Sequence, residues 1–387
     1  MVENGTIVIE AGRIRAIGPA ATTQTPAGAT TVDAAGLTIV PGFWNSHVHF
    51  NRTDWANAHQ QSQAQLRLLL ERMLTRHGFT TVVDTGSSLS NTVALRKRID
   101  SGDVAGPSIL TAGPLVFPKG VGLTPETAKK LGVMPDAGVE AGTAAEARTF
   151  ARQILDDGAD AVKMYAATWF EPRIFMAQEV ASALATEAHA RGKLAFAHPT
   201  NAGGIEIALK AGADVLVHVT PEDGVWSDAL VARLVNAKVS VIPTLMLWRI
   251  EAERFGGNLE GARRFQQLAV NQLAAFARAK GDVLFGTDVG YIEDDNPREE
   301  FEQMAAAGMS TRAILAALTT RPAARFGRST RSGHIAPGAD ADLVLLGSDP
   351  IASVRALSDV RTVVRNGRAI YGTLPPSSRS PAPQIRQ

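Results

Sequence analysis

The chain has 387 residues, 45% hydrophobic and 20% charged, which suits an ordinary globular protein with room for one large domain and a smaller one. Thirty-nine Lys and Arg against 38 Asp and Glu give a formal net charge of +1, so neither nucleic acid nor an anionic membrane is favoured as a partner. Cysteine is absent, which excludes disulfides and thiolate metal sites and leaves nitrogen and oxygen as the available ligands.

No run approaches the ~18 apolar residues of a membrane span, and residues 1–5 lack the basic-then-apolar character of a signal peptide. The chain as given reads as cytoplasmic, or as periplasmic or secreted if a longer start has been lost. Residues 6–9 and 13–17 flank Glu10-Ala11-Gly12 as a predicted hairpin. Residues 30–33 lead on to the apolar run 37–40 and the stretch Pro41-Gly42-Phe43-Trp44-Asn45-Ser46-His47-Val48-His49-Phe50. From there strands alternate with helices. Strands are predicted at 80–84, 108–112, 161–165, 194–198, 215–219, 239–243 and 283–288, and helices over 63–77, 91–101, 144–157, 174–191, 204–211, 228–237 and 259–280.

With the His47 strand this makes eight strands over 42–327, close to the ~250 residues of a (β/α)8 TIM barrel. A doubly wound open sheet is the alternative; eight repeats and the lack of a Gly-x-Gly-x-x-Gly turn after the first strand favour the barrel. Strands at 341–346, 360–364 and 368–371, the last two joined across Asn366-Gly367 as a type I′ hairpin, are expected to pair with those before Gly42. The expected organisation is a composite β-sandwich of 1–41 and 328–375, a barrel of 42–327, and a disordered Pro/Ser-rich tail of 376–387.

Barrel enzymes carry their catalytic groups at the C-terminal strand ends. Here those ends hold His47 and His49, which project to one side of their strand, then Lys163, His198, His218 and Asp288. Four of the eight histidines fall at these ends, and five of the six residues are ordinary ligands for a zinc-like ion. Each alone has a plainer reading. The histidines can be hydrogen-bonded core residues, Asp288 a helix N-cap, and Lys163 a buried cation paired with a carboxylate. Alternatively, the Lys163 amine is deprotonated and carboxylated by carbon dioxide, becoming an anion that bridges two cations. Tyr165, two residues beyond Lys163, is a candidate oxyanion donor or an interior aromatic. Asp84 is a candidate supporting residue. Trp169 and Phe170 after strand 4, with Met246 and Trp248 after strand 7, suggest an apolar or aromatic substrate group; Tyr165 and Trp169 are the candidate substrate-binding residues. The irregular stretch 113–142 is expected to shape the pocket. His59, His77, His189 and His334 fall in a loop, two helices and a turn, where surface or structural roles are expected.

Taken together, Pro41-Gly42-x4-His47-x-His49, Lys163, Ala197-His198-Pro199, Val217-His218 and Gly286-Thr287-Asp288 resemble the amidohydrolase superfamily. So does the ending Gly333-x-Ile335-Ala336-Pro337-Gly338-Ala339-Asp340-Ala341-Asp342-Leu343-Val344. The resemblance runs over nearly the whole chain and is nearest in style to the imidazolonepropionase-like and prolidase-like branch. It departs at the start, where family members usually have another strand before the segment 5–17. The resemblance implies a binuclear site in which His47, His49 and Asp288 hold one divalent ion, His198 and His218 the other, and a carboxylated Lys163 bridges both. Zinc is expected, with manganese, cobalt or iron as alternatives.

Two such ions lower the pKa of a shared water from ~15.7 towards ~7. The resulting hydroxide would attack a polarised carbonyl, with Asp288 as general base and then acid to the leaving nitrogen. The expected activity is metal-dependent hydrolysis of a C–N bond in an amide, lactam, carbamate, N-acyl amino acid or dipeptide. The rivals are a mononuclear deaminase or imidazolonepropionase-type hydrolase with an unmodified Lys163, an esterase or lactonase on the same ions, and a non-catalytic scaffold. The intact ligand set disfavours the scaffold. The expected partner is a small-molecule substrate, and oligomeric state, homo-oligomer included, is left open.

Overall fold

The computed structural model describes residues 2–122, 126 and 134–374; the tail 376–387 lies outside them. The chain opens with the antiparallel hairpin β1 (Gly5–Glu10) and β2 (Arg13–Pro19), followed by β3 (Thr38–Pro41) and β4 (Phe43–Val48). β4 carries His47 and is buried along its whole length, as a strand covered on both faces must be. It pairs in parallel with β5 (Phe79–Asp84), and β5 with β6 (Ser108–Thr111).

At Ala112-Gly113-Pro114 the third barrel strand breaks. It resumes as β7 (Leu115–Pro118), which pairs with β8 (Gly138–Ala141) on one side and β9 (Ala161–Tyr165) on the other. The stretch 113–142, expected to be irregular, thus holds two parallel strands; residues 123–125 and 127–133 fall outside the described residues. β10 (Leu194–His198), β11 (Val215–Val217), β12 (Ser240–Ile242) and β13 (Asp282–Val283) continue in parallel order.

The ring closes beyond the last regular pair. Ser46 N–H donates to the Phe285 carbonyl (2.7 Å), His49 N–H to Val289 (2.9 Å) and Asp288 N–H to His47 (3.0 Å). Of the predicted eighth strand, 283–288, only Val283 is regular, together with Asp282 before it, and Asp288 turns into left-handed backbone at φ 64°. The observed architecture is the (β/α)8 barrel. Its interior is plugged by Trp44, Val83, Leu110, Phe196, Val217, Ile242 and Leu284 from successive strands. Phe326 stacks on Trp44 (5.7 Å) and Phe196 (6.0 Å) and packs with that plug, so the open end is the one bearing His47 and Asp288.

The second layer is the four-stranded sheet of β3, β14 (Leu343–Leu346), β15 (Val360–Arg365) and β16 (Arg368–Tyr371), in the order β16-β15-β14-β3. Alternation along β14 sends Leu343 and Leu345 to one face, where they meet Ile14, Ala339, Ala341 and Val364. It sends Val344 and Leu346 to the other, against the barrel core. The hairpin covers the first face through Ile14 N–H to Ala339 (2.9 Å) and Gly338 N–H to Ile14 (2.8 Å). Segments from both ends of the chain therefore build one small sandwich, as expected.

Two helical expectations change. The helix predicted over 174–191 starts only at Gln178, since Thr168 N–H first turns back to the Ile174 carbonyl (3.0 Å). The helix Leu259–Arg278 is preceded by another, Leu245–Arg254, which begins where β12 ends.

Gly286 lets the eighth strand approach the first. A Cβ there would lie 2.4 Å from Ile242 Cγ2 and 2.8 Å from His47 Cβ. Gly286→Ala should therefore lower the urea midpoint at an unchanged slope, by about 1–3 kcal/mol of stability.

Candidate metal centre

Six side chains from five strand ends meet at the open end of the barrel. His47 and His49 project together because they alternate with Val48, which packs on the opposite side in the core outside the barrel. Their Nε2 atoms are 3.0 Å apart. Asp288 Oδ1 lies 3.0 Å from each, so three electron-pair donors form a triangle with equal sides. His218 Nε2 is 3.9 Å from Asp288 Oδ2, and donor atoms of His47, His218 and Asp288 all fall within 4.8 Å of one another. The His198 ring stands 4.6 Å from that of His218. Lys163 is buried in the fields of Asp288, His47, His198 and His218.

The hydrogen bonds around this cluster fix which nitrogens are bare. His49 Nδ1 faces the Gly86 carbonyl at 2.8 Å. A carbonyl only accepts, so a proton sits on Nδ1, and Nε2 is the nitrogen turned towards the triangle. The Thr244 hydroxyl donates to the Pro243 carbonyl (2.8 Å) and so accepts from His218 Nδ1 (2.6 Å), leaving His218 Nε2 bare. His47 Nδ1, His198 Nδ1 and Asp288 Oδ1 are buried without a hydrogen bond among the described residues. Burial lowers the His47 pKa to about 4 and takes those of His198 and His218 well below the usual range. All three rings are therefore neutral at pH 7. Burial also pushes the Asp288 carboxyl up, but the fields of His47 and His49 outweigh it and hold the group well below the usual carboxylate range.

Bare imidazole nitrogens around an ionised carboxylate repel one another unless a cation sits between them. Ligand atoms ~2.0–2.2 Å from a tetrahedral ion stand about 3.3–3.6 Å apart, close to the observed spacing. The donor set fits a divalent metal. Asp288 does not cap a helix, since the next one begins at Arg298. Nor does Lys163 make an ion pair among the described residues; burial lowers its amine to about 7, against the pull of Asp288.

Sequence reasoning named Asp84 as a supporting residue but missed the other groups that hold these candidate ligands. Asn45 Nδ2 donates to Thr287 Oγ1 (2.8 Å), and Asn45 Oδ1 accepts from the N–H of His47 and of Thr287 (3.2 Å each), tying strand 1 to strand 8. Two polar residues, Asn45 and Ser46, inside a fully buried strand were the available signal. Asp84 acts one step away. Its carboxylate accepts from Ser87 Oγ (2.6 Å), Thr111 Oγ1 (2.8 Å) and Gly86 N–H (3.3 Å), which holds the Gly86 carbonyl against His49. His218 and Thr244 both adopt left-handed backbone, at φ 80° and 47°, a strain characteristic of functional sites.

Above the cluster, Tyr165 is clamped between His198 (4.3 Å) and the parallel ring of Phe117 (4.5 Å). Trp169 tilts against both Tyr165 (5.3 Å) and Phe117 (6.3 Å). Trp248 meets His218 edge-on at 6.0 Å. Met246, expected at the pocket wall, is instead fully buried with Leu247 and Ile292. His59 is exposed, His77 and His189 face Asp295 and Asp214, and His334 bonds the Ser332 carbonyl.

The model of the amidohydrolase family matches residues 38–370. The chain belongs to that family. Similar sequences include an allantoinase from Solibacter usitatus (strain Ellin6076), 41% identical over 66 residues, which are 16% of this chain and 14% of that one. A dihydroorotase from Leifsonia xyli subsp. xyli (strain CTCB07) is 25% identical over 276 residues, 62% of this chain and 60% of that one. The matched stretches span three fifths or less of these relatives' length. A solved structure of a prolidase-type protein from Bifidobacterium longum has a TM-score of 0.78 and 27% identity, covering 95% of this chain and 89% of that one. No helix among the described residues is long and apolar enough to cross a membrane.

In this amidohydrolase the His218 end of the site rests on a buried acid. Glu300 accepts from Leu245 N–H (2.9 Å) and Met246 N–H (2.8 Å), anchoring the helix that begins just after Thr244. Burial pushes its carboxyl up to about 8 despite those two donors. A raised carboxyl pKa favours the fold below the unfolded value near 4.5, and that advantage is lost as pH climbs to about 8. Urea midpoints at pH 5 and pH 8 should show the wild type losing more stability than Glu300→Gln, by on the order of a few kcal/mol.

Proposed function

We propose that the protein is a metal-dependent hydrolase that cleaves a C–N bond in a small molecule of the amide, lactam, carbamate, N-acyl amino acid or dipeptide type. The observation that carries this reading is the 3.0 Å triangle of His47 Nε2, His49 Nε2 and Asp288 Oδ1 at the mouth of the barrel. His47, His49 and Asp288 would hold one divalent ion, His198 and His218 a second, and Lys163, carboxylated on its readily deprotonated amine, would bridge the two; zinc suits this nitrogen and oxygen set. Bound there, such ions polarise a carbonyl and make water nucleophilic at neutral pH.

The chain's own groups do the rest. Asp288 is ionised and buried, and it takes up the proton that the attacking water releases and returns it to the departing nitrogen. The Tyr165 hydroxyl makes no hydrogen bond among the described residues. Burial keeps it protonated by raising its pKa well above 10. It is thus free to donate to the carbonyl oxygen as negative charge develops there. The neutral imidazoles contribute lone pairs and no competing protons. The family membership and the prolidase-type relative support C–N hydrolysis over ester hydrolysis.

A one-ion reading has one observation in its favour: His47, His218 and Asp288, which mix the ligands of both proposed ions, already lie within 4.8 Å. Elemental analysis separates the two. The two-ion reading expects about two equivalents of metal per chain and a gain of activity with bicarbonate, whereas the one-ion reading expects one equivalent and no gain. Asp288→Asn should cut kcat by about 10²–10⁴-fold on whichever member of a panel of N-acyl amino acids, dipeptides, lactams and aryl carbamates the wild type hydrolyses. Full activity in that variant would remove the basis of the proposal.

A further inference from the structure

The wall of the mouth beside Asp288 carries a polar group that the proposed chemistry does not use. Tyr291 stands three residues beyond Asp288, with its N–H on the Asp288 carbonyl (3.2 Å). Its hydroxyl donates to Glu251 Oε1 (3.1 Å), and Arg254 Nη1 donates to the same oxygen (2.7 Å). The Arg254 guanidinium lies over the Tyr291 ring, 5.0 Å from its centre. Glu251 and Arg254 sit on the helix Leu245–Arg254 together with Trp248, whose indole faces His218. Residues three apart share a helix face, so Glu251 continues the Trp248 wall one turn outward, and Arg254 another turn beyond.

This is not the geometry of a loose surface pair. Glu251 is largely screened from water, with its side chain only 13% exposed. Arg254 is held twice, by the ion pair and by the stacked ring, yet its side chain remains 38% exposed. With Nη1 engaged, the Nε and Nη2 atoms take no partner among the described residues. That edge offers two parallel N–H donors, the arrangement that matches both oxygens of a carboxylate.

We infer that Arg254 binds a carboxylate group of the substrate, with Glu251 and Tyr291 as the positioning residues that aim its free edge into the mouth. The inference rests on the hydrolase reading and narrows it to anionic substrates. Arg254 lies six helical residues beyond Trp248, and its guanidinium reaches back about one turn to Glu251, which leaves it about 4.5 Å beyond the Trp248 level. The carboxylate therefore lies roughly one residue length of extended chain or more past that level.

Straight-chain alkanoates from acetate to decanoate, titrated into the metal-replete protein by calorimetry alongside the matching alkanols, test this without any bond being cleaved. Affinity should rise with chain length to an optimum well beyond acetate, and the alkanols should not follow it. At that optimum Arg254→Lys, which keeps the charge but loses the fork, should weaken binding by about tenfold or more, and Arg254→Ala further. Glu251→Gln should weaken the long alkanoate relative to the matching alkanol, a split that general damage to the fold would not produce. Equal binding of the long alkanoate by wild type and Arg254→Lys, or no dependence on chain length, would overturn the inference whatever the hydrolysis panel shows. A panel without turnover would leave the alkanoate result standing and sink only the hydrolase reading.

Discussion

The seam between the first and eighth barrel strands is the constraint on which the site depends. The His47 carbonyl takes the Asp288 N–H, and the Asn45 side chain stitches His47 and Thr287 together. Glycine at 286 permits that closeness. At 290 it is required twice over, by a positive φ of 104° and by the His49 carbonyl, which would lie 2.1 Å from any Cβ. Asp288 is thereby turned inward through a left-handed residue. No rotamer choice by His47 or Asp288 alone would bring a carboxylate oxygen 3.0 Å from two imidazole nitrogens; the backbone seam imposes it.

Electrostatics follows from that placement. Burial strips His47, His198 and His218 of charge, while proximity keeps the carboxylate ionised. The supporting bonds from Gly86 to His49 and from Thr244 to His218 put each proton on the nitrogen that faces away from the cluster. Each support is itself supported, Gly86 by Asp84 and the helix after Thr244 by Glu300. The candidate ligand set is thus preorganised from outside inwards, by polar groups behind the cluster.

Much of this could be read from residue order. Period-two alternation places His47 and His49 side by side, and His198, His218 and Asp288 each end an apolar run that only a barrel strand explains. The break of the third strand was not legible, because the partner of Leu115–Pro118 is β9, more than forty residues further on, and a four-residue run between Gly and Pro reads locally as loop. Glu300 sits in Arg298-Glu299-Glu300-Phe301-Glu302, which looks like a solvated helix face; only the distant start of another helix makes it a buried anchor. Met246 failed for the opposite reason. A large apolar residue after a strand end fits a pocket rim and a packed helix equally well.

The sheet that joins β3 to β14 has a bearing on how the polypeptide is made. Val40 and Val344 face each other in register although three hundred residues of barrel lie between them. During synthesis β3 must wait unpaired until β14, some three hundred residues later, has been made. A product cut short before β14 carries every metal-binding candidate and still lacks the strand that covers the back of the barrel. The closing step of this sheet therefore comes after the whole barrel has been translated.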